Sequence, residues 1–416
     1  MDPERFLDGF SEAQRRSLVA DIDCFVFDCD GVLWAGDRAI DGARELLHQL
    51  SGPVFAPPRS PVRAGTASAF TASSAVNFTS MNSNVAPSSI TPPSPSSPRT
   101  FTVLDSATSP GSSTSKQVVF VTNNATKTKT AFEHKFQLLG FPAPKPNTLM
   151  SSGIATAAYL ARKLKHGDKV YVVGEPGLHD MIRQVGLHTF GQEHASLGFK
   201  DFVSSKPERL LTNPDHVKAV VLSFCGNLSY FNIAYAATIV RYCPSDVLFV
   251  CTNRDQASPL VPGLLVPGGG ACVAPIVVGA GREPLCMGKP SRDLALQIVE
   301  QVGVDPSRML MVGDRLNTDM KFGKSVGMRT LLVLSGATSS EEAWACPKDH
   351  DSRPDFISSS VRGLLLKSAN HYNAGSDGGS AAEGYAGDVS SAGETADESS
   401  RRPSAKRRKK NRNRYY

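Results

Sequence analysis

Two aspartates stand two positions apart behind an apolar run, in Asp28-Cys29-Asp30-Gly31-Val32. Three more apolar runs end in polar clusters: Thr122-Asn123-Asn124, Gly288-Lys289-Pro290 and Gly313-Asp314-Arg315-Leu316-Asn317-Thr318-Asp319. These are the residue types that phosphoryl transfer through an enzyme carboxylate requires. An attacking carboxylate and a phosphate repel each other, so a divalent cation and a fixed positive side chain must neutralise the developing charge. Asp28 is the expected nucleophile. Asp30 is close enough to protonate the leaving oxygen and then to take a proton from the attacking water. Asp28 and Asp314 offer hard oxygen ligands to Mg2+, with a backbone carbonyl and waters completing the octahedron. Lys289 supplies the fixed charge, and Thr122 with the backbone N–H of Asn123 can hold the phosphoryl oxygens.

Such groups act together only if the fold brings them to one place. Residues 24–27, 118–121, 285–287 and 309–312 read as buried strands, and helical patterns lie between them. Asp41 is a candidate N-cap for the helix carrying Leu46, Leu47 and Leu50. Thr130 and Glu133 form a capping box, with Gly140 and Pro142 stopping that helix. A further helix is expected from about Arg292 to Val302, stopped by Gly303. In an open α/β sheet the carboxyl ends of the strands line the ligand crevice. The expected fold is therefore α/β, with a Rossmann-like parallel-sheet core built from residues 1–52, 117–164 and 284–367. A second run of strands and helices, 165–283, is long enough to be an α/β cap inserted into that core.

Composition sets two segments apart. Residues 53–116 are dominated by Ser, Thr, Pro and Ala, and 368–416 are rich in Gly, Ser and Ala before turning basic. Both read as disordered, because neither can bury enough apolar surface to offset its ordering entropy. Removing 55–113 is expected to keep hydrolysis within a few-fold of the full chain, since loop-closure entropy grows only logarithmically with length. Steady-state rates of the shortened chain measure this, and loss of folding contradicts it. The formal net charge is +6, yet the last sixteen residues carry nine Lys or Arg and no acid, leaving −3 on everything before them. General nucleic-acid affinity does not follow from that balance. The basic tail fits a nuclear signal, a nucleic-acid contact or an acidic partner, and the bland reading is a solubilising tail. With no membrane span and no signal-peptide pattern at its start, the chain is expected in the cytoplasm, or in the nucleus through the tail. The eight cysteines form no CxxC pair, so neither a zinc site nor a disulfide framework is indicated.

The motifs DCDGV, VTNNA, GKP and GDRLNTD occur in the order of the four motifs of the haloacid dehalogenase superfamily. With the large insert before the lysine, the chain resembles its C2-capped phosphatases. It is most similar to the eukaryotic phosphoglycolate phosphatase and 4-nitrophenylphosphatase group, with pyridoxal phosphatase as kin. The resemblance covers roughly 22–52 and 117–365, including VPGGGACVAPI, GREPLCMGKPS and GMRTLLVLSGAT. It implies a nucleophile and metal ligand at Asp28, and at Asp30 an acid/base whose carbonyl also binds metal. It further implies phosphate binding by Thr122 and Asn123, the motif lysine at Lys289, a metal ligand at Asp314, and at Asp319 a carboxylate orienting metal-bound water. The implied substrate is a small phosphomonoester, 2-phosphoglycolate first, with pyridoxal phosphate and glycerol phosphate as rivals. A homodimer through the cap is one assembly it allows. Three departures stand out: the long insert between the first two motifs, Gly269 where Thr is frequent, and Ala125 where Ser is common.

Each assignment has a plainer rival. Asp28 and Asp30 could mark a turn, Lys289 could be a surface lysine at a helix start, and Asp314 and Asp319 could cap the following helix. Asn253, Arg254 and Asp255 could face the crevice or form a solvated loop. Gly268-Gly269-Gly270 lacks the lysine and helix of a P-loop. His179, His188 and His194 have no metal spacing and read as cap-surface residues, and Cys29 reads as a packed thiol. Dehalogenase or ATPase chemistry is disfavoured by Asp30. A rival of another class is an inactive scaffold or nucleic-acid-binding protein that works through its tail.

Overall fold

The computed structural model describes residues 3–52, 116–213, 215–245, 247–261 and 264–367. The readings made on most of the 53–116 stretch and on the 368–416 tail fall outside these residues. Two parallel sheets organise the rest. The larger has six strands in the spatial order Phe356–Ser358, Arg329–Val333, Met309–Gly313, Cys24–Phe27, Gln117–Thr122 and Leu149–Ser151. Every pairing in it is parallel. Chain order runs outward in one direction from Cys24–Phe27 and then, starting at Met309–Gly313, outward in the other. The reversal falls between these two central strands, which is where a parallel sheet opens a crevice beyond its carboxyl ends.

Side-chain alternation explains why both faces of this sheet are covered. Phe25, Phe27 and Phe120 point to one face, against Leu46 and Leu47 of the helix Ala43–Ser51 and Phe132 and Phe136 of the helix Lys129–Leu138. Trp34 closes that side, with its ring edge-on to Phe136 at 5.4 Å. Val26, Val119 and Met311 point to the other face, against Leu294, Ala295 and Ile298 of the helix Arg292–Val302.

The second sheet has five parallel strands in the order Leu285–Cys286, Leu248–Cys251, Val217–Leu222, Lys169–Val173 and His188–Phe190. The helix Ser152–Lys163 joins the two layers. Ala155 packs with the core strands, whereas Ala157 and Leu160 pack with Val170 and Val172 of the second sheet.

Several local expectations need correcting. The run at 285–287 is not a core strand: Leu285 and Cys286 add an edge to the second sheet beside Val250 and Cys251, and Leu285 is exposed. A two-residue run carries too little alternation to reveal its sheet. Asp41 does not cap its helix; Gly42, in the left-handed region, takes that place, and Asp41 pairs with Arg362 instead. Thr128 rather than Thr130 is the N-cap of Lys129–Leu138, accepting from Ala131 N. His179 is not a surface residue: it lies on the buried face of the helix Pro176–Gln184 beside Leu178 and Ile182. The stop at Gly140 and the span Arg292–Val302 ending at Gly303 agree with expectation. Among the described residues, no helix is long and apolar enough to cross a membrane.

Candidate active site

Asp28 follows Phe27, and its backbone N–H continues the ladder to Val312 O at 2.8 Å. The chain then turns at Gly31, whose φ of +85° suits glycine. A Cβ there would lie 2.3 Å from Asp314 Oδ2, so the absent side chain also makes room for the acidic group opposite. Asp30 is held by Trp34, whose Nε1 donates to Asp30 Oδ1 at 2.8 Å. The Lys135 ammonium lies 4.6 Å from the centroid of the same indole. An aromatic at position 34 reads as core in a sequence, and Trp34 is indeed fully buried; its second task needed the structure.

Lys289 reaches the same spot from the stretch between Leu285–Cys286 and the helix Arg292–Val302. Its ammonium lies 2.6 Å from Asp28 Oδ1 and 2.7 Å from Asp319 Oδ1, and donates to Val121 O at 3.0 Å. Two ion pairs and a carbonyl thus surround an ammonium on a side chain only 2% exposed. Burial alone would lower the Lys289 pKa, but the two carboxylates overcome it and hold the ammonium charged well above its ordinary range. Burial pushes the Asp28 carboxyl well above the usual carboxylate range, against the pull of Lys289.

Asp314 and Asp319 close the group. Asp319 Oδ2 accepts from Asp314 N at 3.2 Å and Arg315 N at 3.0 Å, so it does stabilise the turn while its other oxygen meets the lysine. Asp314 Oδ2 accepts from Ala337 N at 2.8 Å, while Asp314 Oδ1 is buried without a hydrogen-bond donor. Burial, with Asp319 adding to it, pushes the Asp314 carboxyl up to about 7. One carboxylate oxygen from each of Asp28, Asp314 and Asp319 lies within 4.8 Å of the others. An orphaned buried oxygen beside two more carboxylates suits a hard divalent cation, which takes oxygen ligands at about 2.0–2.6 Å.

Thr122 and Asn123 stand at the end of the neighbouring strand, both buried. Thr122 Oγ1 accepts from Asn124 N at 3.1 Å. The Asn123 side chain turns to the backbone of Lys289, accepting from its N–H at 2.8 Å and donating to its carbonyl at 3.1 Å. Gly288 permits this: a Cβ there would sit 2.5 Å from Asn123 Oδ1 and 2.5 Å from Thr252 O. Of the loop 253–255, Asn253 and Asp255 both contact Asn123. Arg254 instead points outward to Glu283. Arg315 donates to Ala257 O at 2.8 Å, tying the turn after Asp314 to the strand at 257–261. Nothing in the sequence marked Arg315 or Ala337 for these tasks. The glycines 268–270 do lead into a helix, contrary to expectation: Gly268 is the N-cap of Gly269–Ala280. Position 269 faces Asn253, and a Cβ would meet Asn253 Oδ1 at 2.7 Å.

The HAD-hydrolase-like family model matches residues 286–364, and the haloacid dehalogenase-like hydrolase model matches residues 91–188. A glycerol-3-phosphate phosphatase of Gallus gallus is 30% identical over 358 residues, covering 84% of this chain and 93% of that protein. The chloroplastic phosphoglycolate phosphatase 1A of Arabidopsis thaliana is 30% identical, covering 85% and 79%. Chronophin of Rattus norvegicus is 29% identical, covering 85% and 90%. Among solved structures, 4-nitrophenylphosphatase of Thermotoga maritima superimposes with a TM-score of 0.56 at 23% identity, covering 83% of this chain and 97% of that one. A glycerol phosphate phosphatase of Mycobacterium tuberculosis, solved in complex with magnesium, gives 0.55 at 24%, covering 83% and 77%.

Proposed function

The chain belongs to the haloacid dehalogenase-like hydrolases and is a C2-capped phosphatase, and from that premise we propose that it hydrolyses small phosphomonoesters through an aspartyl-phosphate on Asp28, with Mg2+ as cofactor. The observation that carries this reading is the buried Asp28–Lys289–Asp319 ion network beside the donorless oxygen of Asp314. Asp28 attacks phosphorus and the leaving oxygen takes a proton from Asp30. Trp34 holds one oxygen of Asp30, which leaves the other for that transfer. Asp30 then takes a proton from the water that attacks the acyl phosphate, and Asp28 is regenerated. Lys289 balances the charge gathered around the phosphoryl group, and Thr122 with the N–H of Asn123 binds its oxygens. Asp28, Asp314 and the carbonyl of Asp30 would hold the cation, with Asp319 in support; when bound, the ion neutralises the charge that the lysine leaves unbalanced.

Phosphoglycolate is the substrate we propose, and relatives named for it and for glycerol 3-phosphate are both 30% identical to this chain. Ranking phosphoglycolate, glycerol 3-phosphate, pyridoxal phosphate and 4-nitrophenyl phosphate by kcat/KM tests the choice, because that ratio measures differential transition-state binding. The expected order has phosphoglycolate first, with magnesium required for all four. Turnover unaffected by chelation overturns the metal assignment. No turnover of any ester favours the scaffold alternative, in which the basic tail binds nucleic acid or an acidic partner.

A further inference from the structure

One short segment after a strand of the second sheet meets the phosphate-binding turn with two side chains. Asn253 and Asp255 follow that strand, Leu248–Cys251, and both reach Asn123 at the end of the core strand Gln117–Thr122. Asn253 Nδ2 donates to Asn123 O at 2.7 Å. Asp255 Oδ1 accepts from Asn123 Nδ2 at 2.9 Å. Asp255 N in turn donates to Asn253 Oδ1 at 3.1 Å, so the segment forms its own turn. The carboxamide that Asp255 takes hold of is the one gripping both backbone groups of Lys289. Its amide has two N–H donors, and Asp255 and Lys289 O provide two acceptors. Without Asp255 one donor in a buried site would lose its partner, and the carboxamide would lose the contact that fixes its plane.

We propose that Asp255 is a positioning residue: seated with the cap, its carboxylate orients Asn123, and Asn123 fixes the backbone from which the Lys289 ammonium reaches Asp28 and Asp319. The proposal rests on the reading of Lys289 as the charge partner of Asp28. It makes cap seating and lysine placement one event, because cap residues complete the hydrogen bonding of a core residue. A misplacement of about 1 Å at a reacting centre costs up to about 100-fold.

Steady-state kinetics with 4-nitrophenyl phosphate and magnesium test it in a double-mutant cycle. Asp255→Ala is expected to lower kcat roughly ten- to a hundred-fold with KM changed less than about three-fold. Asp255→Asn, whose amide oxygen still accepts from Asn123, is expected to recover most of that loss. In an Asn123→Ala background, Asp255→Ala should add less than about a two-fold further loss, because the relay is already cut. Equal losses in both backgrounds, equal losses for Asn and Ala, or an Asp255→Ala kcat within about two-fold of wild type each overturn the proposal. Asp255→Ser, too short to reach Asn123, carries the same test if Asp255→Ala does not fold. Lys289→Met separates the two levels: if it keeps wild-type turnover the lysine assignment fails, whereas an inactive Lys289→Met beside an additive cycle sinks the relay alone.

Discussion

Asp28→Asn is expected to reduce turnover by at least about 10⁴-fold while leaving the fold intact, because an amide is a poor nucleophile in nearly the same shape. Lys289 keeps two of its three acceptors, Asp319 and Val121 O, so the buried ammonium is not stranded. Asp30→Asn is expected to be slow in a different way, by about 10²–10⁴-fold, the usual worth of a positioned proton donor. It retains the attacking carboxylate, and an Asn at that position can still accept from Trp34 Nε1. With 4-nitrophenyl phosphate, whose leaving group needs little protonation, Asp30→Asn should still become phosphorylated on Asp28. Hydrolysis of the acyl phosphate should then limit the rate, because the attacking water has lost its base. Beryllium fluoride, which mimics an acyl phosphate, should bind wild type and Asp30→Asn but not Asp28→Asn. Intact mass after acid quench, followed by peptide mapping, locates the phosphoryl group. Phosphate on a serine, histidine or cysteine, or a fully active Asp28→Asn, would remove Asp28 from the mechanism.

The acidic end of the site was legible because its parts sit next to strands that announce themselves. CFVF and MLMV are apolar runs too short for helices, and the residues after them have few places to go except the carboxyl end of a parallel sheet. Lys289 was legible by type and motif but not by strand: Leu285 and Cys286 belong to the second sheet, so the lysine is delivered by the crossing segment Gly288-Lys289-Pro290 rather than by a core strand. The loop 253–255 could not be resolved from composition, since solvated and crevice-facing loops are both polar. Its answer depends on how the two sheets meet, which no local pattern encodes. Trp34 was hidden for the opposite reason, because a buried aromatic satisfies the packing reading completely and its single polar atom leaves no periodic trace. The capping expectation at Thr130 failed because a second threonine stands in the same turn, and the one at Asp41 failed because an ion partner drew its carboxylate away from the helix end. Gly42 in the left-handed region and Thr128 took the N-cap positions, and Asp41 went to Arg362.

Asp314→Asn is expected to act in opposite directions on activity and on metal-free stability. In the wild type, Asp314 is 1% exposed, one of its oxygens lacks a donor, and its carboxyl is raised from 3.8 to about 7. A folded-state pKa above the unfolded one means that the unfolded chain gives up its proton first as pH rises. The contribution of this group to stability is therefore fully present below pH 4 and is lost as pH climbs through about 7. The substituted carboxamide carries no charge, so the metal-free variant should lack that decline and melt higher than metal-free wild type at pH 8. Its amide oxygen can still accept from Ala337 N, which keeps the turn. Magnesium should reverse the order. The ion binds the folded wild type and not the unfolded chain, adding about 2.7 kcal/mol at a hundred times its dissociation constant. The variant, short of one anionic ligand, should gain little, and its kcat/KM should fall by roughly 10²–10³-fold, the loss seen when one preorganised charge partner of a transition state is removed. Thermal unfolding of both proteins from pH 5 to 8, in chelator and in magnesium, measures all four states. Equal gains from magnesium in the two proteins would show that Asp314 is not a ligand. A metal-free variant melting below wild type at pH 8 would show that its carboxylate stabilises the turn more than its burial weakens it.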